Sequence, residues 1–163
     1  MPKLELDLID CRIIGALQAN GRLTNVELAD RVGLSPSPCL RRLKRLEREG
    51  FIDAYRAVFD RGRIGLGLTV FIGVKIGDHA SEHAEVFEQA IIAMPEIIAC
   101  HLVAGEVDYL LEVVVPDLEH YQRYLVGKLL NLPIIREVRS SIAIQTLKAG
   151  APLPLDHLNT KRA

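Results

Sequence analysis

The stretch NVELADRVGLSPSPCLRRLKRLEREGFI, residues 25–52, decides how the first third of the chain folds. Leu28 and Val32 stand four apart, the spacing of one helix face. Thr24 precedes them with Glu27 three positions on, a capping box in which each side chain satisfies the other residue's backbone amide. Gly33 can take the left-handed backbone that ends a helix. A second helix then opens at Ser35. Pro36 and Pro38 are tolerated there because first-turn amides have no intrahelical partner to lose. Leu40, Leu43 and Leu46 form its expected buried stripe, and Gly50 ends it. Upstream, Asp7 caps an earlier helix with Ile9, Ile13, Ala16 and Leu17 on one face, stopped at Asn20-Gly21. Downstream, residues 51–59 carry the β-favouring Ile52, Tyr55 and Val58 before the turn Asp60-Arg61-Gly62. Two short strands there complete a winged helix-turn-helix.

The third helix is basic on the side its leucines leave free. Arg41, Arg42, Lys44, Arg45 and Arg48 fall within eight residues, and the acids Glu47 and Glu49 come only at its end. In such a pair, the second helix enters the major groove of double-stranded DNA by its N-terminal half. Arginine there offers paired donors to guanine or a clamp on phosphate. Ser35, Pro36, Ser37, Pro38 and Arg41, in the leading turns, are candidate contacts to base edges and sugars. Arg42 and Arg45 are expected to reach base edges or backbone, and Thr24 and Asn25 supply first-turn amides for a phosphate. Cys39 reads as a small packed residue. The net charge of −1 hides an asymmetry: twelve Lys/Arg face nine Asp/Glu through Arg63, and eight face twelve beyond it. A basic first third suits a polyanion at one end only.

The rest of the chain alternates differently. Residues 68–76 are a strand-like apolar run, and 81–94 a helix with Ala84, Phe87, Ile91 and Met94 on one face, halted by Pro95. Residues 97–103 and 109–115 read as strands around the turn Ala104-Gly105-Glu106. Pro116-Asp117 opens a helix to Leu130 with Leu118, Tyr121, Leu125 and Leu129 inward, and 134–147 is a last long strand. The order βαββαβ is that of a ferredoxin-like α+β sandwich. The expected division is a DNA-binding domain over 1–60, a hinge over 61–67, a second, oligomerising domain over 68–148, and a tail over 149–163. Helices cover one sheet face. The other is expected to be apolar too, with Phe71, Val74 and Ile76 accompanying Val70 and Ile72, and Leu111 and Val113 accompanying Leu110 and Val114. Burying such a patch against a second copy is favourable, so a homo-oligomer is expected.

Several classes are disfavoured. With 49% hydrophobic and 25% charged residues, the composition is that of an ordinary globular chain. No apolar run approaches the ~20 residues of a membrane span, and the N-terminus lacks a signal-peptide pattern. Cys11, Cys39 and Cys100 are scattered, which reads as reduced thiols in a cytoplasmic protein. There is no Walker loop, GxGxxG, HExxH or GxSxG stretch, so neither an enzyme nor a cofactor is expected. His79 and His83 stand four apart without a third ligand, and read as solvated side chains rather than a metal site.

Three segments carry a family resemblance: NVELA at 25–29, VGLSPSPCL at 32–40 and RLEREGFI at 45–52. With CHLVAGEVDYLLEV at 100–113, they make the chain similar to the Lrp/AsnC (feast/famine) regulators from about Leu6 to Lys148. That resemblance implies a nucleoid-associated, amino-acid-sensing transcription regulator. Its second domain, of RAM or ACT-like type, builds dimers and then tetramers or octamers. The effector implied is an amino acid or related metabolite held near the interfaces. Gly105, Glu106, Asp108 and Tyr109 retain the family's Gly-acid-x-Asp-Tyr turn, with Ala104 in place of a frequent small hydroxyl residue. Glu106 and Asp108 are the expected partners of an α-amino group. Arg136, Ser140 and Ser141 fall where the family places polar contacts, the arginine suiting an α-carboxylate. The chain departs from the pattern at Pro133-Ile134, where a glycine commonly follows. A ligand-independent architectural DNA-binding protein of the same fold is the alternative.

Overall fold

Two units divide the computed structural model: one joins the chain up to Val58 with the chain from Lys148, and the other runs Phe59–Leu147. Residues 6–77 and 81–159 are described, without the side chains of 81–84, 124 and 159. His79 and the side chain of His83 therefore lie outside the description.

In the first unit, α1 (Leu8–Ala19), α2 (Asn25–Val32) and α3 (Pro36–Arg48) surround Ile13, Leu28, Ala29, Val32, Cys39 and Leu46. The caps are those the sequence calls for. Thr24 and Glu27 close a reciprocal capping box, and Gly33 ends α2 at φ 75°. Leu40 departs from its expected place: it is 39% exposed, while Cys39 is fully buried. The inward line of α3 therefore runs through Cys39, Leu43 and Leu46, one residue round from the expected stripe. Residues 52–60 are irregular, and the expected wing strands are absent among the described residues. Tyr55 still anchors this segment, donating its hydroxyl to Glu47 on α3 at 2.9 Å. Burial and the Glu47 carboxylate push its phenol up to about 12. The C-terminal segment packs back on α1: Gln18 donates to the Leu153 carbonyl at 3.2 Å and accepts from its amide at 2.5 Å. A helical turn, Asp156–Asn159, follows.

The second unit is an antiparallel sheet in the order β2-β3-β1-β4. Its strands are β1 (Leu68–Ile76), β2 (Ile97–Leu102), β3 (Tyr109–Val115) and β4 (Ile135–Ile142). The helix α4 (Ser81–Ile92) joins β1 to β2. A second crossover, α5, runs through Leu118–His120, Tyr121–Val126 and Gly127–Leu129, its middle section widened into π-type turns. Val70, Ile72, Val74, Ile76, Leu111 and Val113 pack with Phe87, Ile91, Tyr121, Leu125 and Leu129 into one core. Leu118, expected inward, is 49% exposed. β4 stops at Ile142 rather than at 147, and Ile144 and Leu147 beyond it are exposed.

The register corrects the expected second apolar face. Strand side chains alternate, so Val74, Ile76, Leu111 and Val113 share the helix-covered side with Val70 and Ile72. The open side carries Thr69, Phe71, Gly73 and Lys75 from β1 and Leu110, Glu112 and Val114 from β3. It is mixed rather than oily. Phe71 and Leu110 are 40% and 37% exposed, and Arg61 reaches Glu112 at 2.9 Å. Residues 61–67, expected as a hinge, begin in successive turns tied to the sheet through this pair.

Gly73 has a packing reason. A Cβ there would stand 2.9 Å from Cγ1 of Val107, so the loop between β2 and β3 lies on the open face at that point. Gly73→Ala is expected to destabilise the protein by about 1–3 kcal/mol. Adding Val107→Ala should restore most of that loss in a denaturant titration.

Candidate nucleic-acid interface and ligand turn

A buried carboxylate organises the first unit. Asp7 caps α1, accepting from the amides of Ile9 and Asp10 at 2.9 Å each, and Asp10 reaches back to the Asp7 amide at 3.1 Å. The Asp10 side chain is 1% exposed. Two guanidinium groups from α3 neutralise it. Arg42 Nη1 donates to Asp10 at 3.0 Å and to Asp7 at 2.6 Å, and Arg45 Nη2 donates to Asp10 at 2.5 Å. Glu49 faces Arg45 Nε at 3.7 Å, an ion pair without a hydrogen bond. Burial pushes the Asp7 carboxyl up, but the Asp10 amide and Arg42 outweigh it and hold it below the usual range. Hydrogen bonding to Asp7 in turn raises Arg42.

Arg42 and Arg45, expected at base edges or phosphates, are therefore drawn inward to α1. The outward line of α3 is Ser37, Arg41, Lys44 and Arg48, all exposed, with Leu40 beside it. Arg48 has only a peripheral pairing, with Glu49 at 3.5 Å. Ser35 caps α3 by position, without a side-chain cap hydrogen bond. Ser35 and Pro36 are exposed, and Pro38 is half-buried above the core. Thr24 is occupied by its capping box, donating its hydroxyl to Glu27 at 2.8 Å. Asn25 donates its side-chain amide to the Pro36 carbonyl at 2.9 Å, joining the starts of α2 and α3. These contacts give Thr24 and Asn25 a framework role on the same end as the exposed Ser35.

The expected ligand residues separate in the second unit. Ala104, Gly105 and Glu106 are exposed. Gly105 has ordinary negative φ or extended backbone, and nothing lies within 4 Å of where its Cβ would be. Its backbone is thus open to approach from outside the chain. Asp108 is committed to the fold: its Oδ2 accepts from the Ile76 amide at 2.8 Å where the β1–β4 register shifts. Tyr109 is buried, donating to Glu88 at 3.2 Å. Ser140 and Ser141 point to opposite sheet faces. Ser140 meets the Tyr121 hydroxyl at 2.5 Å on the helix side, and Ser141 pairs with Phe71 on the open side. Arg136 is exposed at the register shift in β4. The cation that meets the turn is instead Arg139, which holds Glu106 at 3.0 Å and Glu137 at 2.6 Å. Sequence reasoning passed over it. Its place opposite Gly73 could be found only once the strand register was known.

Among the described residues, no cluster of His, Cys, Asp and Glu is arranged to hold a metal, and no helix is long and apolar enough to cross a membrane.

A capped helix-turn-helix with a basic outer line, followed by a βαββαβ unit with an exposed acidic turn, is the layout of a DNA-binding regulator. Comparison with known proteins agrees. Residues 6–53 match the winged helix-turn-helix DNA-binding family, and residues 69–153 match the Lrp/AsnC ligand binding domain. The leucine-responsive regulatory protein of Escherichia coli K12 is 42% identical over 147 residues, 90% of each chain. A transcriptional regulator from Neisseria meningitidis, solved as its L-Met complex, superimposes with TM-score 0.90 at 41% identity, covering 94% of this chain and 99% of that one. An AsnC family regulator from Agrobacterium tumefaciens gives TM-score 0.88 at 34% identity, covering 93% and 99%. The chain belongs to the Lrp/AsnC family of DNA-binding transcription regulators.

The acid cluster carries a pH prediction. A carboxyl whose pKa is lowered by folding contributes stability that is present above its unfolded value, near 3.8, and lost as pH falls through the folded value. Stability should therefore drop below about pH 4, and Asp7→Asn, which keeps the cap, should flatten that drop. Equal acid sensitivity of the two proteins in thermal melts at pH 2.5–5 would remove Asp7 from the account.

Proposed function

We propose that this regulator is a sequence-specific DNA-binding homo-oligomer whose activity is set by an amino acid or a closely related metabolite. DNA reading belongs to residues 1–60, and sensing and assembly to 68–148, in the cytoplasm on nucleoid DNA. The observation that carries the DNA assignment is the line Ser37, Arg41, Lys44, Arg48, which faces solvent along the helix after the turn. Ser35, Pro36 and the start of α2 flank it, so phosphate contacts there set register while the leading turns of α3 approach the bases.

Assembly rests on the open sheet face. Phe71 and Leu110 are partly exposed at its centre, and a second copy is the natural cover for them. The irregular stretch of residues 53–59, with Val58 93% and Phe59 66% exposed, adds a further surface for self-association. The effector then sits by the Ala104–Gly105–Glu106 turn, which lies over that same face. Glu106 is the acidic partner for an amino group, with Arg139, Arg136 and Ser141 supplying the polar side and Asp108 holding the turn in place. The L-Met complex of the Neisseria relative and the names of the leucine-responsive relatives make L-methionine and L-leucine the first ligands to try.

Arg41→Ala and Lys44→Ala should each weaken duplex binding with melting unchanged. Where the lost contact is to phosphate, the slope of log K against log salt becomes shallower by about 0.9. Fluorescence anisotropy over a salt series measures this, and wild-type affinity in both variants counts against the assigned face. In thermal shift, a ligand at a hundred times its Kd adds about 2.7 kcal/mol of stability. If none of the twenty amino acids at millimolar concentration moves the melt, the ligand-independent architectural role replaces the sensor.

A further inference from the structure

We propose that Asp10 is a positioning residue for DNA recognition, fixing the roll of α3 about its own axis by holding Arg42 and Arg45 inward, out of reach of phosphate. The inference rests on α3 being the DNA-reading helix and adds which of its cations are withheld from the nucleic acid.

Among the described residues Asp10 is the fully buried charged one, and it lies on α1 one turn before the core residue Ile13. Dispersion contacts weaken gradually with distance, so apolar packing resists a small roll of a helix less sharply than a directional hydrogen bond does. With side chains, a helix has a radius of about 5–6 Å, so a roll of about 20° about its own axis would move an outer side chain by ~2 Å. That displacement exceeds the roughly 0.5 Å range over which a nitrogen–oxygen hydrogen bond is made. The carboxylate supplies the direction that apolar packing lacks. Both its oxygens are engaged: Oδ1 accepts from Arg42, and Oδ2 from Arg45 and the Asp7 amide. The two arginines stand three apart on α3, so the pair grips the helix at two points along its length. Arg42 also binds the cap of α1 through Asp7, and Glu49 closes the network beyond Arg45. With Arg42 and Arg45 bound to α1, the remaining cations of α3, Arg41, Lys44 and Arg48, line up with Ser37 on the exposed side.

Withholding two arginines also restrains indiscriminate binding. Each guanidinium free to meet phosphate adds sequence-independent affinity and steepens the salt dependence. Release of the lock therefore trades selectivity for general attraction, whereas simple unfolding removes both.

The test uses the full-length protein, a duplex enriched from a random-sequence pool by the wild type, and a scrambled duplex of the same composition. Asp10→Asn keeps the shape and removes the charge. For the folded variant, the ratio of affinities for enriched over scrambled duplex should fall about tenfold or more. Affinity for the scrambled duplex should be held or rise, and its salt slope should steepen by about 1–2. Asp7→Asn, which leaves the Asp10 contacts and preserves the cap, should shift the same quantities in the same direction but less, and it serves where Asp10→Asn does not melt cooperatively. A folded variant that keeps the wild-type ratio and slope, or loses both affinities in parallel, overturns the positioning role. So does a shallower salt slope in Arg42→Ala or Arg45→Ala with an unchanged melt, since those arginines then already touch phosphate. A wild type that enriches no duplex overturns the DNA-reading face and this inference together.

Discussion

The first unit depends on a carboxylate that has left water. Stripped of solvent and left alone, the Asp10 side chain would cost several kcal/mol to bury, and packing of a domain this small could not offset that. Two guanidinium groups and a backbone amide make the burial tolerable. The consequence is geometric more than energetic. A well-packed apolar residue in the same place could stabilise the fold as well or better, so the pair is not explained by stability alone. What it adds is direction, because hydrogen bonds fail with small displacements where dispersion contacts merely weaken.

The second unit solves a related problem at its β2–β3 loop. An exposed loop that carries free polar groups must still be kept from wandering. Here the work is divided between neighbours in sequence. Asp108 is tied to the β1 amide at Ile76, and Val107 occupies the space that Gly73 leaves vacant on the sheet. Only the preceding residues remain outward, with Glu106 held by Arg139 in a pair whose side chains are 86% and 60% exposed. Exposed pairs of this kind are worth about 0–1 kcal/mol, so Glu106 is held only weakly. A single fold thus keeps one acid structural and leaves the next exchangeable.

Much of this was legible in the residues. Caps at Asp7 and Thr24, the stop at Gly33 and the β1 and β3 boundaries are local signals, and local signals survive tertiary context. The wing and the end of β4 were less so, since β-favouring composition cannot say whether a partner strand is there to pair with. Counting basic residues also misjudged α3. Arg42 flanks the line through Cys39, Leu43 and Leu46, and Arg45, further round, is distinguished from Arg41, Lys44 and Arg48 only by its pairing with Asp10. A signal for this existed in α1. Asp10 sits one turn before Ile13 on the inward face, and a charge in an apolar stripe announces a partner of opposite sign. Sheet faces posed a different difficulty: near-continuous apolar runs conceal the alternation, and only the register separates Leu110 from Leu111.

The two ends of the first unit converge on α1. On one side, its leading turn carries Asp7 and Asp10, which hold α3. Further along, a Cβ at Gly15 would stand 3.9 Å from Leu155, and Gln18 grips both backbone groups of Leu153. An amide side chain that pairs with backbone donor and acceptor together imitates one rung of a sheet, and fixes position along the chain as well as distance. The segment it fixes continues directly from β4, the strand bearing Arg139 and Ser141. The chain after β4 is therefore a second covalent link between the two units, in addition to the one before β1.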